Sequence, residues 1–286
     1  MYYYIINPAA GNGKINKIQD KLKGILSEFG IAGEFVKSTG PGDIPKLTEI
    51  GVKKGYNTIV AIGGDGTVNE VLNNLNSESI AFGIVPVGKN NLLADSLGIA
   101  GWENACQILA ARKTIKINIG KVVTSETTRY FINNVSLGLE ASIRKDFPVS
   151  PKKATEKIKN RAFILKQISS YKSRPIKFSI DNNLSGEAQA LNIKIANASL
   201  FGKSPSFRIS FGENIARKEK VDFLKTADIK SLVRNKENTI LYGDNLIIKT
   251  SGLPVSADDQ FIGTSPIEVK IADRKARIIV GTVKAP

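Results

Sequence analysis

Histidine is absent from this chain of 286 residues, and cysteine, methionine and tryptophan each occur once. Because histidine is the commonest general base and the commonest metal ligand, any acid–base chemistry here must use carboxylates, lysine or tyrosine. The single cysteine, Cys106, cannot form a disulfide within the chain, and it lies in an apolar helical stretch that predicts a core position. This cysteine usage is typical of a reducing compartment.

Long hydrophobic runs are also missing from the sequence. No stretch reaches the roughly 18 consecutive apolar residues that a membrane-spanning helix requires. The opening residues, Met-Tyr-Tyr-Tyr-Ile-Ile, are too short and lack the basic start of a signal peptide. They predict a buried first strand whose tyrosines alternate across the sheet, and we expect a cytoplasmic protein.

Acidic residues are outnumbered, with 26 Asp and Glu against 41 Lys and Arg and a net charge of +15. Such an excess favours anionic partners, namely nucleotide phosphates, acidic membrane surfaces or nucleic acid. Nucleic acid is the least expected of the three, because no nucleic-acid recognition motif is present. A basic surface that simply faces solvent is the alternative.

The hydrophobic patterning of the first 120 residues alternates between strands and helices. Strands are predicted at 2–6, 33–38, 58–62 and 80–85, and helices at 15–29, 44–54, 68–76, 91–97 and 102–111. This order predicts an α/β class fold, a doubly wound Rossmann-like domain with a mostly parallel sheet. Ligands of such sheets bind at the carboxyl ends of the strands.

From Ile115 the pattern changes to short strand-like runs separated by Gly, Asn, Asp and Pro, which predicts an antiparallel β-sandwich. The domains are therefore placed at 1–120 and 121–274, and the segment 275–286 can rejoin the first domain. The predicted strands are 116–123, 130–135, 176–180, 190–196, 221–225, 245–250, 267–271 and 277–280.

A glycine-rich turn, Gly-Gly-Asp-Gly-Thr at 63–67, follows the strand predicted at 58–62. Glycines let backbone amides approach phosphate oxygens without a Cβ in the way, and the next helix presents its positive dipole end. Thr67 can donate its hydroxyl to a phosphate, and Asp65 can hold a ribose, an orienting water or, indirectly, Mg²⁺. The alternative is a tight strand-to-helix turn that binds no ligand.

Three segments of the first domain carry motifs in a fixed order. They read Asn-Pro-Ala-Ala-Gly-Asn-Gly-Lys at 7–14, Ile-Gly-Gly-Asp-Gly-Thr-Val-Asn-Glu-Val at 62–71, and Pro-Val-Gly-Lys-Asn-Asn-Leu-Leu-Ala-Asp-Ser-Leu-Gly at 86–98. Together they resemble the diacylglycerol-kinase family of lipid kinases, which includes sphingosine kinases and is more distantly related to NAD kinases. NAD kinases share the Gly-Gly-Asp-Gly-Thr string but not the opening Asn-Pro-x-x-Gly, so the lipid branch is preferred.

The resemblance implies an ATP-dependent kinase that transfers the γ-phosphate to a lipid hydroxyl, with Mg²⁺ if it is active. The second domain would then hold the lipid substrate. By the same resemblance, the nucleotide would be lined by Asn7, Gly11, Thr39, Gly63, Gly64, Asp65, Gly66, Thr67, Gly88, Lys89 and Asn91.

The sequence departs from this family at positions that carry acids. The family's Asp-Gly-Glu, whose glutamate is the expected general base, aligns with Asp258, Asp259 and Gln260, in a register fixed by Gly-Thr-Ser-Pro at 263–266. An amide cannot accept a proton, so Gln260 stands at the base position with its chemistry impaired. Loss of a general base typically lowers the rate by about 10²–10⁴.

Other expected acids are also replaced, so a metal site would lose charge. Leu92 and Asn118 stand where the family has Asp, and residues 218–219, Lys-Glu, align less securely with the metal loop of the second domain. Two compensations are open. Asp259 could act as the base after a one-residue shift, although in an extended strand it would face away from Gln260. Lys89 could neutralise phosphate charge directly and stand in partly for a metal.

A basic helix is predicted at 152–172. Its apolar residues recur at helical spacing and predict one face that packs on the sandwich, which is the favoured interpretation. Transient association of this helix with an anionic membrane surface is the alternative. The predicted apolar face consists of Ile158, Ala162, Leu165, Ile168 and Tyr171.

Three functions therefore stay open from the sequence. The first is a lipid kinase of the diacylglycerol-kinase family with weak or altered catalysis, in which Asp65, Asp258, Asp259 and Gln260 are the candidate catalytic positions. The second is a catalytically inactive relative that binds nucleotide or lipid in a regulatory role. The third is a nucleotide kinase closer to the NAD kinases.

Overall fold

A computed structural model describes residues 1–146, 154–198, 206–213 and 239–281, and of residues 154–161 it describes the backbone alone. The chain divides into two compact units. The first comprises Met1–Ile119 with Asp273–Pro286, and the second comprises Gly120–Ala272.

The first unit alternates strands with helices, as the hydrophobic pattern predicts. Its strands in the order of the chain are β1 (Tyr2–Ile6), β2 (Gly33–Lys37), β3 (Thr58–Gly63) and β4 (Ala81–Pro86). Its helices are α1 (Lys14–Glu28), α2 (Asp43–Lys53), α3 (Asp65–Asn74), α4 (Leu92–Ser96) and α5 (Trp102–Ala111), and β5 (Thr114–Thr124) continues into the second unit.

The strands of the first unit run parallel in the order β2-β1-β3-β4. Ile6 pairs with both Lys37 and Ile62, and Gly63 pairs with Pro86, so the carboxyl ends of the four strands are in line. The chain leaves β1 for β2 on one side and returns to β3 on the other. The direction of winding therefore changes between β1 and β3, and this is where open α/β sheets form a binding crevice.

Apolar sequence explains why these strands lie at the centre of the sheet. Every residue of β1, β3 and β4 is buried, as expected for parallel strands that are covered on both faces. The tyrosines of β1 alternate as predicted, since Tyr2 stacks on Tyr4 at 5.8 Å between ring centroids and Tyr3 packs on Tyr56 at 5.0 Å.

The second unit is built from antiparallel strands and two helices within the described residues. The helices are α6 (Leu139–Asp146) and α7 (Ala154–Ser170). The strands are β6 (Thr128–Phe131), β7 (Asn134–Gly138), β8 (Arg174–Ile180), β9 (Leu184–Ala190), β10 (Asn192–Asn197), β11 (Phe207–Gly212), β12 (Thr239–Gly243), β13 (Asn245–Ile248), β14 (Pro254–Ala257) and β15 (Gln260–Thr264). Strand β16 (Ile267–Ile279) begins in the second unit and continues into the first.

The antiparallel strands form two layers around one core. One layer has the order β12-β11-β10-β7-β14-β15, and in the other β13 pairs with β8 and with the first part of β16. Apolar side chains of both layers meet in a single buried cluster, for example Val135, Ile195 and Phe207 with Phe178 and Leu246. The α/β fold class with an antiparallel sandwich is therefore confirmed.

Several predicted strand boundaries in the second half are wrong. The strand predicted at 130–135 is two strands, β6 and β7, because the backbone amides of Ile132 and Asn133 turn toward the carboxylate of Asp258. The strands predicted at 267–271 and 277–280 are one, since β16 continues through its polar middle. The strand predicted at 221–225 lies outside the described residues.

Three elements were missed or given wrong bounds by the hydrophobic pattern of the sequence. Strand β9 lacks apolar alternation, because it is mostly exposed at the edge of its sheet. Helix α6 is only eight residues long, which is too short to show a periodic signal. Helix α3 begins at Asp65, three residues before the predicted start at Val68, so part of the glycine-rich turn is already helical.

The basic helix corresponds to α7. Ile164 and Ile168 are buried against Leu139, Ile143 and Leu191, with Leu165 and Tyr171 packed beside them. Ala162, by contrast, is exposed, which corrects the predicted face. Lys152, Lys153 and the side chain of Ile158 lie outside what is described. The described face thus packs within the second unit, and no helix of the described ranges is long and apolar enough to cross a membrane.

Cys106 provides a test of the core of the first unit. Its side chain is fully buried in α5, where the thiol donates to the Trp102 carbonyl oxygen at 3.3 Å. Burial raises the pKa of the Cys106 thiol to about 11, so the reactive thiolate is scarce at neutral pH.

We expect a thiol reagent to label the native protein negligibly and the urea-denatured protein stoichiometrically. Rapid stoichiometric labelling of the native protein would contradict this placement.

Candidate functional site

Loops that follow the parallel strands meet at the carboxyl edge of the first unit. They are residues 7–13 after β1, residues 38–42 after β2, Gly64 between β3 and α3, and residues 87–91 after β4. Since the strand ends are in register, these loops share one edge of the sheet. All predicted nucleotide-lining residues lie on these loops or next to them.

The glycine-rich turn is an abrupt passage from β3 to α3. Gly64 is the extended N-cap residue, and the Val68 amide donates to its carbonyl oxygen at 3.1 Å to close the first helical turn. Asp65, Gly66 and Thr67 therefore occupy that first turn. The first amides of an α-helix have no partner within the helix and carry its positive dipole end. The edge is thus suited to an anion.

Asn7 and Thr67 join the first loop to helix α3. The Asn7 side-chain amide donates to the Thr67 hydroxyl oxygen at 3.0 Å, while its own carbonyl oxygen accepts from the Ala9 amide at 3.0 Å. Thr67 is only 4% exposed, and a Cβ at Gly63 would overlap its side chain. In this structure the Thr67 hydroxyl group joins the loop after β1 to helix α3, and its predicted bond to a phosphate stays a prediction.

The glycines bring the loops into direct backbone contact. A Cβ added to Gly88 would lie 2.5 Å from the Gly64 Cα, and one added to Gly64 would lie 3.2 Å from the Gly88 Cα. Gly11 has φ +58°, and a Cβ there would overlap the Val87 carbonyl oxygen. Asn91 fixes the turn after β4, because its side chain accepts from the Gly88 amide and donates to the Gly88 carbonyl, both at 3.0 Å.

Thr39 is engaged at the start of α2. Its amide and hydroxyl donate to one carboxylate oxygen of Asp43 at 2.8 and 2.6 Å, and the Gly40 amide does so at 2.9 Å. The hydrogen bond from the Thr39 hydroxyl is the main reason that the pKa of Asp43 is lowered. Thr39 is therefore tied to the first residue of α2 through the Asp43 carboxylate, and its predicted contact with a nucleotide stays a prediction.

Two lysines stand on the same edge. Lys14 is the first residue of α1, with its Cβ 3.4 Å from the position of a Cβ on Gly11. Lys89 directly follows Gly88 and is exposed. Only Lys89 was singled out in the sequence. Lys14 could have been found from its place at the end of the Asn-Pro-x-x-Gly segment.

The candidate catalytic positions of the second unit lie at a tight hairpin. Strand β14 ends at Ala257 and β15 begins at Gln260, so Asp258 and Asp259 form a two-residue turn. Their φ angles are +44° and +70°, as a type I′ turn requires. The assumption that Asp259 lies in an extended strand is therefore wrong, and strand alternation does not describe its direction.

All three side chains at this hairpin are held by donors. Buried Asp258 accepts hydrogen bonds from the amides of Ile132 at 2.7 Å, Asn133 at 2.8 Å and Asn134 at 3.1 Å. Asp259 forms an ion pair with Arg144 at 3.0 Å. Gln260 accepts a hydrogen bond from the Arg129 guanidinium at 2.6 Å. The Asp258 carboxylate thus serves to fix the turn between β6 and β7.

A buried acid beside this hairpin was not found from the sequence. Glu140, 5% exposed, accepts from the Ser136 hydroxyl at 3.1 Å and lies 3.8 Å from the Arg144 guanidinium. Arg144 thereby links Glu140 to Asp259. The spacing of four residues between Glu140 and Arg144 indicates an ion pair only if the segment is a helix. The short helix α6 was not predicted, so this spacing was not interpreted.

Comparison with known proteins supports the resemblance over the first part of the chain. Residues 1–122 match the family model of the diacylglycerol kinase catalytic domain. A diacylglycerol kinase of Bacillus subtilis is 32% identical over 155 residues, which cover 50% of this chain and 48% of that protein. The resemblance to the diacylglycerol-kinase-like family is confirmed. The match to the family model falls on the part of the chain that carries the three ordered motifs.

Solved structures extend the likeness of fold to the whole chain. A diacylglycerol kinase from Bacillus anthracis superposes with a TM-score of 0.72 at 17% identity, covering 98% of this chain and 97% of that one. An NAD kinase from Archaeoglobus fulgidus, solved in complex with ATP, gives a TM-score of 0.54 at 12% identity, with 98% and 93% covered. At these identities the likeness shows the two-domain fold alone.

The contact between Gly64 and Gly88 can be tested by paired substitutions. Gly88→Ala places a Cβ 2.5 Å from backbone, so we expect a loss of about 1–3 kcal/mol of unfolding free energy. Gly24→Ala is the matched control, because Gly24 lies inside α1 with nothing within 4 Å of its Cβ position. That variant should gain about 0.5–1 kcal/mol. Equal effects in urea unfolding would contradict the backbone contact.

Proposed function

We propose that this chain binds ATP through its phosphates at the carboxyl edge of the first unit and transfers the γ-phosphate to a lipid hydroxyl, with weakened catalysis. The observation that carries the proposal is the meeting of Gly64 with Gly88 at the start of α3. At this point the glycine backbone can approach a ligand closely, and the N-terminus of the helix favours phosphate.

The lipid acceptor is supported by the family. The matching family model is a diacylglycerol kinase domain, and the Bacillus subtilis relative is named a diacylglycerol kinase. The second unit would hold the lipid. The net charge of +15 is suited to anionic headgroups, and transient contact with an anionic membrane surface is part of the proposal.

The residues present fit the phosphates better than they fit Mg²⁺. Mg²⁺ is bound through carboxylates and water in near-octahedral geometry. Within the described ranges no group of three or more acidic or cysteine side chains is placed to hold a metal. Asp258 and Asp259 are committed to three amides and to Arg144. The described acids therefore offer Mg²⁺ few side-chain ligands, with Asp65 the acid at the carboxyl edge, and residues 218–219 lie outside the described part.

Proton transfer is the step that this chain supports least. Gln260 has no basic group, and Arg129 already donates to its oxygen at 2.6 Å. Asp259, the other candidate base, is held in an ion pair with the Arg144 guanidinium at 3.0 Å, so its carboxylate is already engaged by a protein donor. Asp65 in the first turn of α3 is the acid at the carboxyl edge that the proposal uses, to orient the nucleotide.

A second candidate function follows from the same hairpin. If neither Gln260 nor Asp259 accepts the proton, the chain is a catalytically inactive relative that binds nucleotide or lipid. The Arg129–Gln260 contact favours this candidate, because Gln260, the residue expected at the base position, is a neutral amide whose oxygen already accepts a hydrogen bond. For an NAD-kinase-like activity the support is the shared fold and the shared Gly-Gly-Asp-Gly-Thr string.

A Gln260→Glu variant separates the two candidates. Purified parent and variant are incubated with radiolabelled ATP, Mg²⁺ and mixed lipid vesicles, and labelled lipid is counted. We expect slow turnover in the parent and an increase of about 10²-fold in the variant, the low end for a general base because Arg129 would hold the carboxylate ionised. Gln260→Ala is the control and should match the parent.

The outcomes assign the function. Lipid labelling by the parent at the rate of the Gln260→Glu variant would show that the amide does not limit catalysis. Binding of ATP without labelled lipid in either protein would establish the inactive relative. An absence of ATP binding in both would overturn the proposed nucleotide site.

A further inference from the structure

We propose that nucleotide binding at the carboxyl edge of the first unit does not require Mg²⁺, because Lys14 and Lys89 neutralise the phosphates in its place. This inference rests on the proposed nucleotide site. The inference concerns which positive charge neutralises the nucleotide phosphates. It follows from the poor fit between the described acids and a divalent cation.

The two lysines flank the point where the loops meet. The Lys14 Cβ lies 3.4 Å from the Cβ position of Gly11, and Gly11 itself packs against the Val87 carbonyl. Lys89 is two residues beyond Val87 and directly follows Gly88, whose backbone contacts Gly64. One lysine therefore approaches from the loop after β1 and the other from the loop after β4. The β3–α3 turn lies between them.

A magnesium site needs negatively charged oxygen ligands, whereas the charged side chains on these segments include two lysines. Residues 7–14, 38–43, 63–67 and 87–92 contain Lys14 and Lys89 and two acids, Asp65 and Asp43, and the Asp43 carboxylate already accepts hydrogen bonds from Thr39 and Gly40. Leu92, at the position where an acid is expected, is a partly exposed apolar side chain at the start of α4. A site with this balance attracts an anion directly and gives a divalent cation few oxygen ligands.

Lys14 is also placed against the usual helix preference. It is the first residue of the fifteen-residue helix α1, and the first turn of α1 contains no acid. A cation at a helix N-terminus faces the positive dipole end and is unfavourable there. Rules of local stability are most often broken at functional sites, and a bound polyanion between Lys14 and Lys89 would compensate this cost.

The consequence is a distinctive metal dependence. A triphosphate that is bound to Mg²⁺ carries less negative charge than the free nucleotide, so two lysines attract it less strongly. Free ATP should therefore bind at least as tightly as its magnesium complex. A site that depends on a bridging metal would show the opposite order.

Isothermal titration calorimetry with ATP tests this inference, once in excess EDTA and once in excess Mg²⁺. We expect the dissociation constant in EDTA to equal or fall below that in Mg²⁺. Lys89→Thr should weaken binding in EDTA by about tenfold, the effect of one lost charge-assisted contact, and Lys14→Thr should do the same. In Mg²⁺ both losses should be smaller.

Lys53→Thr is the matched control. It removes the same charge from an exposed lysine in the last turn of α2, whose contact with Glu49 is 3.9 Å, and it should leave ATP binding unchanged. Thermal melts of all three variants separate a lost contact from a lost fold.

The failure of this inference differs from the failure of the proposed function. Binding that appears only in Mg²⁺, or that is at least tenfold weaker in EDTA, would overturn metal independence and leave the nucleotide site standing. Metal-independent binding that Lys14→Thr and Lys89→Thr do not weaken would overturn the assignment of the lysines. If ATP binds under neither condition, the nucleotide site and this inference are both wrong.

Discussion

The close approach of two backbones, at Gly64 and Gly88, is the constraint on which the candidate site depends. A Cβ on Gly88 would lie 2.5 Å from the Gly64 Cα, so the loop after β4 can reach the start of α3 only through glycine. Asn91 fixes one side of this contact and the bond between Asn7 and Thr67 fixes the other. The order of strands then puts the first turn of α3 beside the switch in winding between β1 and β3.

The charged side chains at the two candidate sites differ in kind and in what they contact. At the carboxyl edge of the first unit, Lys14 begins α1 and Lys89 follows β4, while Asp65 lies in the first turn of α3 and the Asp43 carboxylate accepts from Thr39 and Gly40. At the hairpin of the second unit, Asp258 fixes a turn through three amides and Asp259 is paired with Arg144. Carboxylates that are committed in this way contribute to the fold. The chain thus combines a backbone suited to phosphates with acids that stabilise structure.

Sequence patterns predicted the parts of the molecule that depend on local residues. The apolar strands, helices α1, α2 and α5, and the three glycine-bearing loops follow from hydrophobic runs and turn residues near one another in the chain. The hairpin at Asp258 and Asp259 was assigned wrongly, because two acids in left-handed conformation leave no pattern of alternation. The contact of Arg129 with Gln260 spans 131 residues, and no local pattern signals a partner at that distance.

The most direct test of the nucleotide site is a titration of ¹⁵N-labelled protein with ATP, followed by the amide resonances of the glycine-rich turn. The account predicts that the largest shifts fall on residues 64–67, with smaller ones on 11–14 and 88–91, since these amides line the edge where the phosphates bind. Shifts confined to residues 120–272, or an unchanged turn at saturating ATP, would contradict the account.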